Sequence, residues 1–276
     1  MGDPRPGPPQ LRPGRALAHT TGASGSGSPH RSGRRSPQTP RGARQSDPVG
    51  RLGTTPPVPG RPTSFLLLGL PALLFVLITW QVVADGPLVR MDERLSRGLL
   101  HPDRLGELLS DLGNAQVAVP VLVLALVHVS VRGRRGGVER WWAPPLSAAV
   151  LMALVPVLVM PLKEWVARPG TPAVPPAVGY YPSGHTATAA VAYGAATLVL
   201  LPWLRTARAR RGLVAVCCVV VLGVGYGLVR RGYHWPADVL ASGCLCAVLL
   251  TLLSLVISRS TRRRSAGTPS SRTGPS

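Results

Sequence analysis

Six long uncharged apolar segments constrain this chain more than any other feature. They lie at residues 64–84, 115–131, 143–162, 185–204, 213–229 and 239–257. A helix of about 20 apolar residues is long enough to cross the ~30 Å hydrocarbon core of a bilayer. Six such segments, joined by short charged loops, would leave a soluble domain without a polar surface. The sequence therefore predicts an all-α membrane protein, a bundle of six transmembrane helices.

The segments that flank the bundle have a different composition. Residues 1–63 are rich in Pro, Gly, Ser and Arg and contain almost no apolar run. Such a segment buries too little surface to offset the entropy lost on ordering. We therefore expect a disordered basic N-terminal tail, a membrane domain at 64–258 and a second disordered basic tail at 259–276. Within the domain, residues 85–114 mix acids, Arg and spaced Leu, which predicts one or two interfacial helices.

The charge of the chain indicates its orientation in the membrane. The net charge of +20 comes from 31 basic and 11 acidic residues. Because the Arg residues lie in the tails and in short loops between apolar segments, they favour membrane topology over nucleic-acid binding. With the N-terminus inside, 23 basic residues fall in cytoplasmic segments and eight in outer ones. We expect a multi-pass protein of the plasma (inner) membrane with both termini cytoplasmic and no nucleic-acid partner.

Two loops on the predicted outer face carry groups suited to phosphate chemistry. One lies between the third and fourth apolar segments, and the other lies between the fifth and sixth. Their candidate residues are Lys163, Arg168, Ser183, Gly184 and His185 in the first, and Arg231, His234 and Asp238 in the second. Cations and the free N–H groups at a helix start hold phosphate oxygens. A neutral imidazole can attack phosphorus when a carboxylate aims it, and Asp238 is four residues after His234.

Each of these residues also has a structural interpretation. A Ser-Gly pair caps helices in every class of protein, and a cation at the end of a membrane helix often extends toward the headgroups. A histidine beside a tryptophan is also typical of a membrane interface. Asp238 is harder to explain this way, because a carboxylate at the entry to an apolar helix is costly unless it is paired.

The motifs resemble those of the type-2 phosphatidic acid phosphatase superfamily, the integral-membrane lipid phosphate phosphatases. Lys…Arg-Pro, Pro-Ser-Gly-His and Arg…His-x-x-x-Asp occur here in that order, and the resemblance covers roughly 64–257. It implies hydrolysis without metal or cofactor. It also implies three catalytic roles, with His234 as the nucleophile, Asp238 orienting it and His185 as the leaving-group acid. Lys163 and Ser183 would bind the phosphate.

Two arginines depart from the family pattern. The first motif usually has Arg at the position of Gly170, and here Arg168 comes two residues early. The third motif usually has Arg at the position of Leu228. Because Arg231 is three residues further on, nearly on the same helical face, we expect Arg168 and Arg231 to take over phosphate binding.

These observations lead to a membrane phosphatase acting on a lipid phosphate or polyprenyl pyrophosphate at the outer membrane face through a phosphohistidine. Two alternatives remain. The first is a catalytically weak relative that binds lipid phosphate without turnover, which the displaced arginines suggest. The second is a small transporter or assembly subunit, which the lack of polar groups within the apolar segments disfavours. The sequence gives no oligomeric state and does not identify the lipid.

Overall fold

The computed structural model describes residues 62–266. Residues 1–61 of the predicted N-terminal tail and 267–276 of the predicted C-terminal tail lie outside this part of the chain.

The described residues form an all-α structure. Its helices are α1 (Pro62–Val83), α2 (Pro87–Leu99), α3 (Arg104–Asp111), α4 (Ala115–Arg135), α5 (Ala143–Val166), α6 (Gly184–Leu200), α7 (Ala207–Arg230) and α8 (Pro236–Ala266). All except α2 and α3 are long and apolar enough to cross a membrane, which confirms the six predicted spans. Helix α8 continues past the predicted domain end at residue 258, since neither Gly nor Pro interrupts residues 259–266.

Helix α6 lies at the centre and packs against α4, α5, α7 and α8. Most of its residues are buried, and many of them are Ala or Gly. Small residues allow helix backbones to approach closely within a membrane. At Gly194, for example, an added Cβ would lie 2.5 Å from a methyl carbon of Leu250 on α8. The small residues of α6 therefore set how tightly the bundle closes.

The two short helices α2 and α3 fill the predicted interfacial region at 85–114. Their bundle-facing sides are polar or small, with Asp92 and Ser96 buried on α2 and Gly106 and Ser110 buried on α3. Several of their leucines point the other way, as at Leu105 and Leu108, which are 56% and 66% exposed, while Leu109 of α3 packs against α7. An apolar outer face is what a helix beside lipid presents. The exposed leucines thus lie on the side of these helices that faces away from the bundle.

One end of the bundle brings the two predicted loops together. The C-terminal ends of α5 and α7 and the N-terminal ends of α6 and α8 meet here, with α2 and α3 beside them. A hydrogen bond from the Ser183 N–H to the Asp238 carbonyl joins the two loops directly. The six spans therefore place all candidate residues at this one end.

Candidate active site

Ser183 is the N-cap of α6. Its Oγ accepts a hydrogen bond from the Thr186 N–H at 3.3 Å and another from the Thr186 hydroxyl at 3.0 Å. The residue is fully buried, and its carbonyl accepts from the Ser242 hydroxyl of α8 at 2.8 Å. The predicted helix start is confirmed. The cap leaves the N–H groups of Gly184 and His185 at the positive end of the helix dipole.

Lys163 extends from the last turn of α5 toward this helix start. Its Nζ donates to the Gly179 carbonyl at 2.7 Å, and its Cε lies 3.8 Å from where a Cβ on Gly184 would be. Gly179 has a φ of +86°, a left-handed conformation that favours glycine. The loop therefore turns back over the lysine and holds the ammonium group beside the N-terminus of α6.

His234 and Asp238 form the predicted pair. The His234 Nδ1 lies 3.3 Å from the Asp238 Oδ2, and both side chains are buried. The same oxygen accepts from the Trp235 N–H at 3.2 Å. An imidazole whose Nδ1 hydrogen is directed at a carboxylate has its lone pair on Nε2. This arrangement suits a nucleophile.

His185 faces His234 across the junction of the two loops. Their ring centroids are 6.2 Å apart in an edge-on arrangement, and the Tyr180 ring lies 5.7 Å from His234 on another side. Both residues line the same cavity, so both imidazoles can reach one group held at its end. One could then attack the group while the other protonates its departing oxygen.

These groups line the end of a large cavity. It measures about 1060 Å³, and its polar end is formed by Lys163, Gly184, His185 and His234. From there it runs between α4 and α5, where its walls are mainly apolar side chains such as Leu126 and Met152. Lys163 is the single Lys or Arg among the described residues that line it. The cavity thus joins a polar end to an apolar channel.

Arg168, expected to bind phosphate, lies between two carboxylates. Its Nη1 donates to the Asp238 Oδ1 at 2.6 Å, and its Nη2 donates to the Asp92 Oδ2 at 2.8 Å. The side chain is 5% exposed, and the guanidinium lies over the Trp235 ring. The structure therefore brings Arg168 to the back of Asp238, on the side away from His234.

Arg231, the other arginine expected to bind phosphate, is directed toward α3. Its side chain passes Gly106, and its Nη2 donates to the Tyr233 hydroxyl at 3.2 Å, which raises the pKa of Arg231. It is not among the residues that line the cavity. Leu228 is fully buried in the core, so the two positions do not share an environment although they share a helical face.

The neighbouring Arg230 binds Asp103. Its Nε and Nη2 donate to the carboxylate at 2.7 to 3.1 Å, and these hydrogen bonds lower the pKa of Asp103 to about 2. The pair is partly exposed. It joins the end of α7 to the start of α3 outside the cavity.

Sequence reasoning missed two buried polar groups at the site. Asp92 is one of several acids in 85–114, and its carboxylate contacts both Arg168 and the Ala237 N–H. The Tyr181 hydroxyl pairs with Thr79 of α1 at 2.6 Å, and burial raises the pKa of Tyr181 to about 12. The spacing of Asp92 and Ser96, one turn apart, was the available indication of a polar buried face.

A known protein family matches the part of the chain that holds this site. The model of the PAP2 superfamily matches residues 144–262, the stretch that holds all three motifs. The resemblance inferred from those motifs is confirmed, and this part of the chain is similar to the PAP2 superfamily.

A solved structure shares the fold. It is the crystal structure of the first transmembrane PAP2 type phosphatidylglycerolphosphate phosphatase from Bacillus subtilis, with a TM-score of 0.54 and 23% identity. The similarity covers 70% of this chain and 96% of that one. No curated protein sequence matches the chain.

Proposed function

We propose that this protein hydrolyses a lipid phosphate or polyprenyl pyrophosphate through a phosphohistidine intermediate. One observation carries the proposal: the facing His185 and His234 rings, with Lys163 beside them, close the polar end of a cavity whose remaining walls are apolar. A phosphate headgroup fits the polar end, and a lipid tail fits the channel between α4 and α5. The Bacillus subtilis protein of the same fold is described as a phosphatidylglycerolphosphate phosphatase, which makes that lipid one candidate substrate.

The proposed reaction has two steps. Lys163 and the N–H groups of Gly184 and His185 hold the phosphate oxygens, and Ser183 keeps that helix start in place. The His234 Nε2 attacks phosphorus while His185 gives a proton to the departing lipid oxygen. His185, now neutral, then takes a proton from water. That water attacks the phosphohistidine, releasing inorganic phosphate and restoring His234.

The donor set supports a reaction without metal. Among the described residues, Asp238 is the one carboxylate in contact with His234. Its Oδ1 is bound by Arg168, and its Oδ2 is bound by the Trp235 N–H and the imidazole. A divalent ion prefers several carboxylate or carbonyl oxygens that are free to bind it. We therefore propose that charge on the phosphate is offset by Lys163 and the helix start.

We further propose that the site faces the outside of the plasma membrane. The C-terminal end of α4 and the connection from α6 to α7 lie at the other end of the bundle and are rich in Arg, as expected of cytoplasmic segments. At the site end, Arg168 and Arg230 are paired with carboxylates. A substrate could then enter from the outer leaflet through the apolar channel.

The displaced arginines favour one alternative, a protein that binds lipid phosphate without turnover. Arg168 is held by two carboxylates and Arg231 by Tyr233, so Lys163 is the one Lys or Arg of residues 62–266 that lines the cavity. Phosphoryl transfer gains much of its rate from cations around the transferring group. A site with fewer of them would bind the headgroup and react slowly.

A turnover assay distinguishes the phosphatase hypothesis from the hypothesis of binding without turnover. The purified protein in detergent is given phosphatidylglycerophosphate, phosphatidic acid and undecaprenyl pyrophosphate, with and without a chelator, and released phosphate is measured. We expect turnover that the chelator does not reduce. His234→Ala should abolish turnover, while His101→Ala, an exposed histidine at the same end, should leave it unchanged. Binding without phosphate release would establish the alternative, and activity restored only by a divalent ion would refute the metal-free mechanism.

A further inference from the structure

A carboxylate lies buried behind the site on a helix that the motifs do not include. Asp92 belongs to α2 and is 4% exposed. Its Oδ2 accepts from Arg168 at 2.8 Å, and its Oδ1 accepts from the Ala237 N–H in the first turn of α8 at 2.8 Å. Burial raises the pKa of Asp92 despite these partners. A buried charge of this kind is costly, so its position calls for an explanation.

Arg168 connects this carboxylate to the active-site pair. Each of its terminal nitrogens donates to a different carboxylate, Nη2 to Asp92 and Nη1 to Asp238. The guanidinium is a rigid planar fork, so fixing one terminal nitrogen also fixes the other. The buried side chain has little surface left for a substrate. Its geometry is that of a bridge between two carboxylates.

Asp238 continues the connection to His234. Its remaining oxygen lies 3.3 Å from the imidazole Nδ1. One buried series of polar contacts therefore runs from Asp92 on α2 through Arg168 and Asp238 to His234 in the turn before α8. Asp92 also accepts from the first turn of α8, the helix that carries Asp238, so it holds the carboxylate through both the side chain and the backbone.

We propose that Asp92 is a positioning residue for the nucleophile, acting through Arg168 and Asp238, and that Arg168 serves this bridge rather than the phosphate. This inference rests on the proposed phosphatase function. Arg168, which stands two residues before the usual arginine position of the first motif, would thus bridge the two carboxylates. The short helix α2 would then also help to orient the His234 imidazole.

The direct test replaces the charge while keeping the shape. In Asp92→Asn the amide oxygen still accepts from Ala237, but the amide N–H groups face Arg168 and lose the ion pair. We expect kcat to fall by roughly 10- to 100-fold, as when outer partners of a site histidine are removed. KM and inhibition by inorganic phosphate should change little. Glu93→Gln, the adjacent acid on α2, is the matched control and should behave like the wild type.

A second variant covers the case in which Asp92→Asn does not fold. Arg168→Lys keeps a positive charge, but a single ammonium group cannot bridge two carboxylates as the fork does. It should also lower kcat and leave inhibition by inorganic phosphate intact. A large rise in KM with loss of phosphate inhibition would show that Arg168 binds substrate, and an unchanged kcat in either variant would overturn the positioning role.

A measurement without turnover keeps this inference separate from the proposed function. Unfolding midpoints in detergent are compared for Asp92→Asn, Asp238→Asn and the double variant. Because both carboxylates share Arg168, their effects should be non-additive. Additive shifts would refute the bridge. An inactive wild-type protein would refute the proposed phosphatase activity and, with it, the role of Asp92 in positioning a nucleophile. Non-additive shifts of the unfolding midpoint would still establish that Arg168 bridges the two carboxylates.

Discussion

The substitution Asp238→Asn gives the sharpest test of the proposed nucleophile. The carboxylate is fully buried, with Arg168 on one oxygen and both His234 and the Trp235 N–H on the other. An asparagine side chain has one acceptor oxygen and one donor nitrogen to place against these three groups. Neither orientation of the amide satisfies all of them.

Each orientation of the amide would disturb a different contact of the site. If the amide oxygen faces Arg168, the amide nitrogen meets the Trp235 N–H and can only donate to the His234 Nδ1. The imidazole proton then moves to Nε2, and the nucleophilic lone pair is lost. If the amide nitrogen faces Arg168, two donors oppose each other at the buried bridge. The first orientation keeps the stronger contact, so we expect it to dominate.

The expected losses of kcat and of stability follow from these contacts. Changing the carboxylate that orients a catalytic histidine to an amide can cost on the order of 10⁴-fold in kcat, because the wrong tautomer is selected. Breaking a buried ion pair typically costs about 3–5 kcal/mol of stability. Since Arg168 keeps Asp92 as a partner, we expect a loss near the lower limit, about 3 kcal/mol. Activity should therefore fall far more than stability.

The assay measures kcat and the unfolding midpoint of the same preparation. Asp103→Asn is the matched control, because it removes the acid of another Asp–Arg pair at this end of the bundle, one that is partly exposed and outside the cavity. It should leave kcat near the wild-type value. A folded Asp238→Asn protein with kcat within about tenfold of the wild type would refute the reasoning, since the carboxylate that orients the nucleophile is expected to matter more.

Two further predictions concern stability. Gly227→Ala would place a Cβ 2.7 Å from the Gly106 carbonyl oxygen of α3. Because this backbone atom cannot rotate away, overpacking should lower the free energy of unfolding by about 1–3 kcal/mol. Gly212→Ala, in the same helix with no atom within 4 Å, should instead gain about 0.5–1 kcal/mol, and equal unfolding midpoints in detergent would contradict this. Asp103, whose folded pKa lies below its unfolded value near 4, should stabilise the protein above pH ~4 and lose that contribution as the pH falls toward about 2. Midpoints of the wild type and Asp103→Asn should therefore converge in acid, and a constant difference at every pH would argue against the ion pair with Arg230.

The sequence alone determined the architecture and the centre of the site. A membrane span is read from the length of an apolar run, which is a local property, so the six spans could be predicted. The cap at Ser183 is equally local, because its partner is three residues away. The contact of His234 with Asp238 joins residues four apart and follows from the same short-range geometry.

Tertiary structure decided what the arginines do. Arg168 reaches Asp238 across 70 positions and Asp92 across 76, and no spacing along the chain encodes either contact. Arg231 lies on the helical face of Leu228, yet α3 and Tyr233 take its side chain away from the cavity. Helical periodicity gives the direction in which a side chain leaves the backbone, while the position of its polar end depends on the charged or hydrogen-bonding groups within reach. For Arg168 those groups come from α2 and α8, which only the assembled bundle brings together.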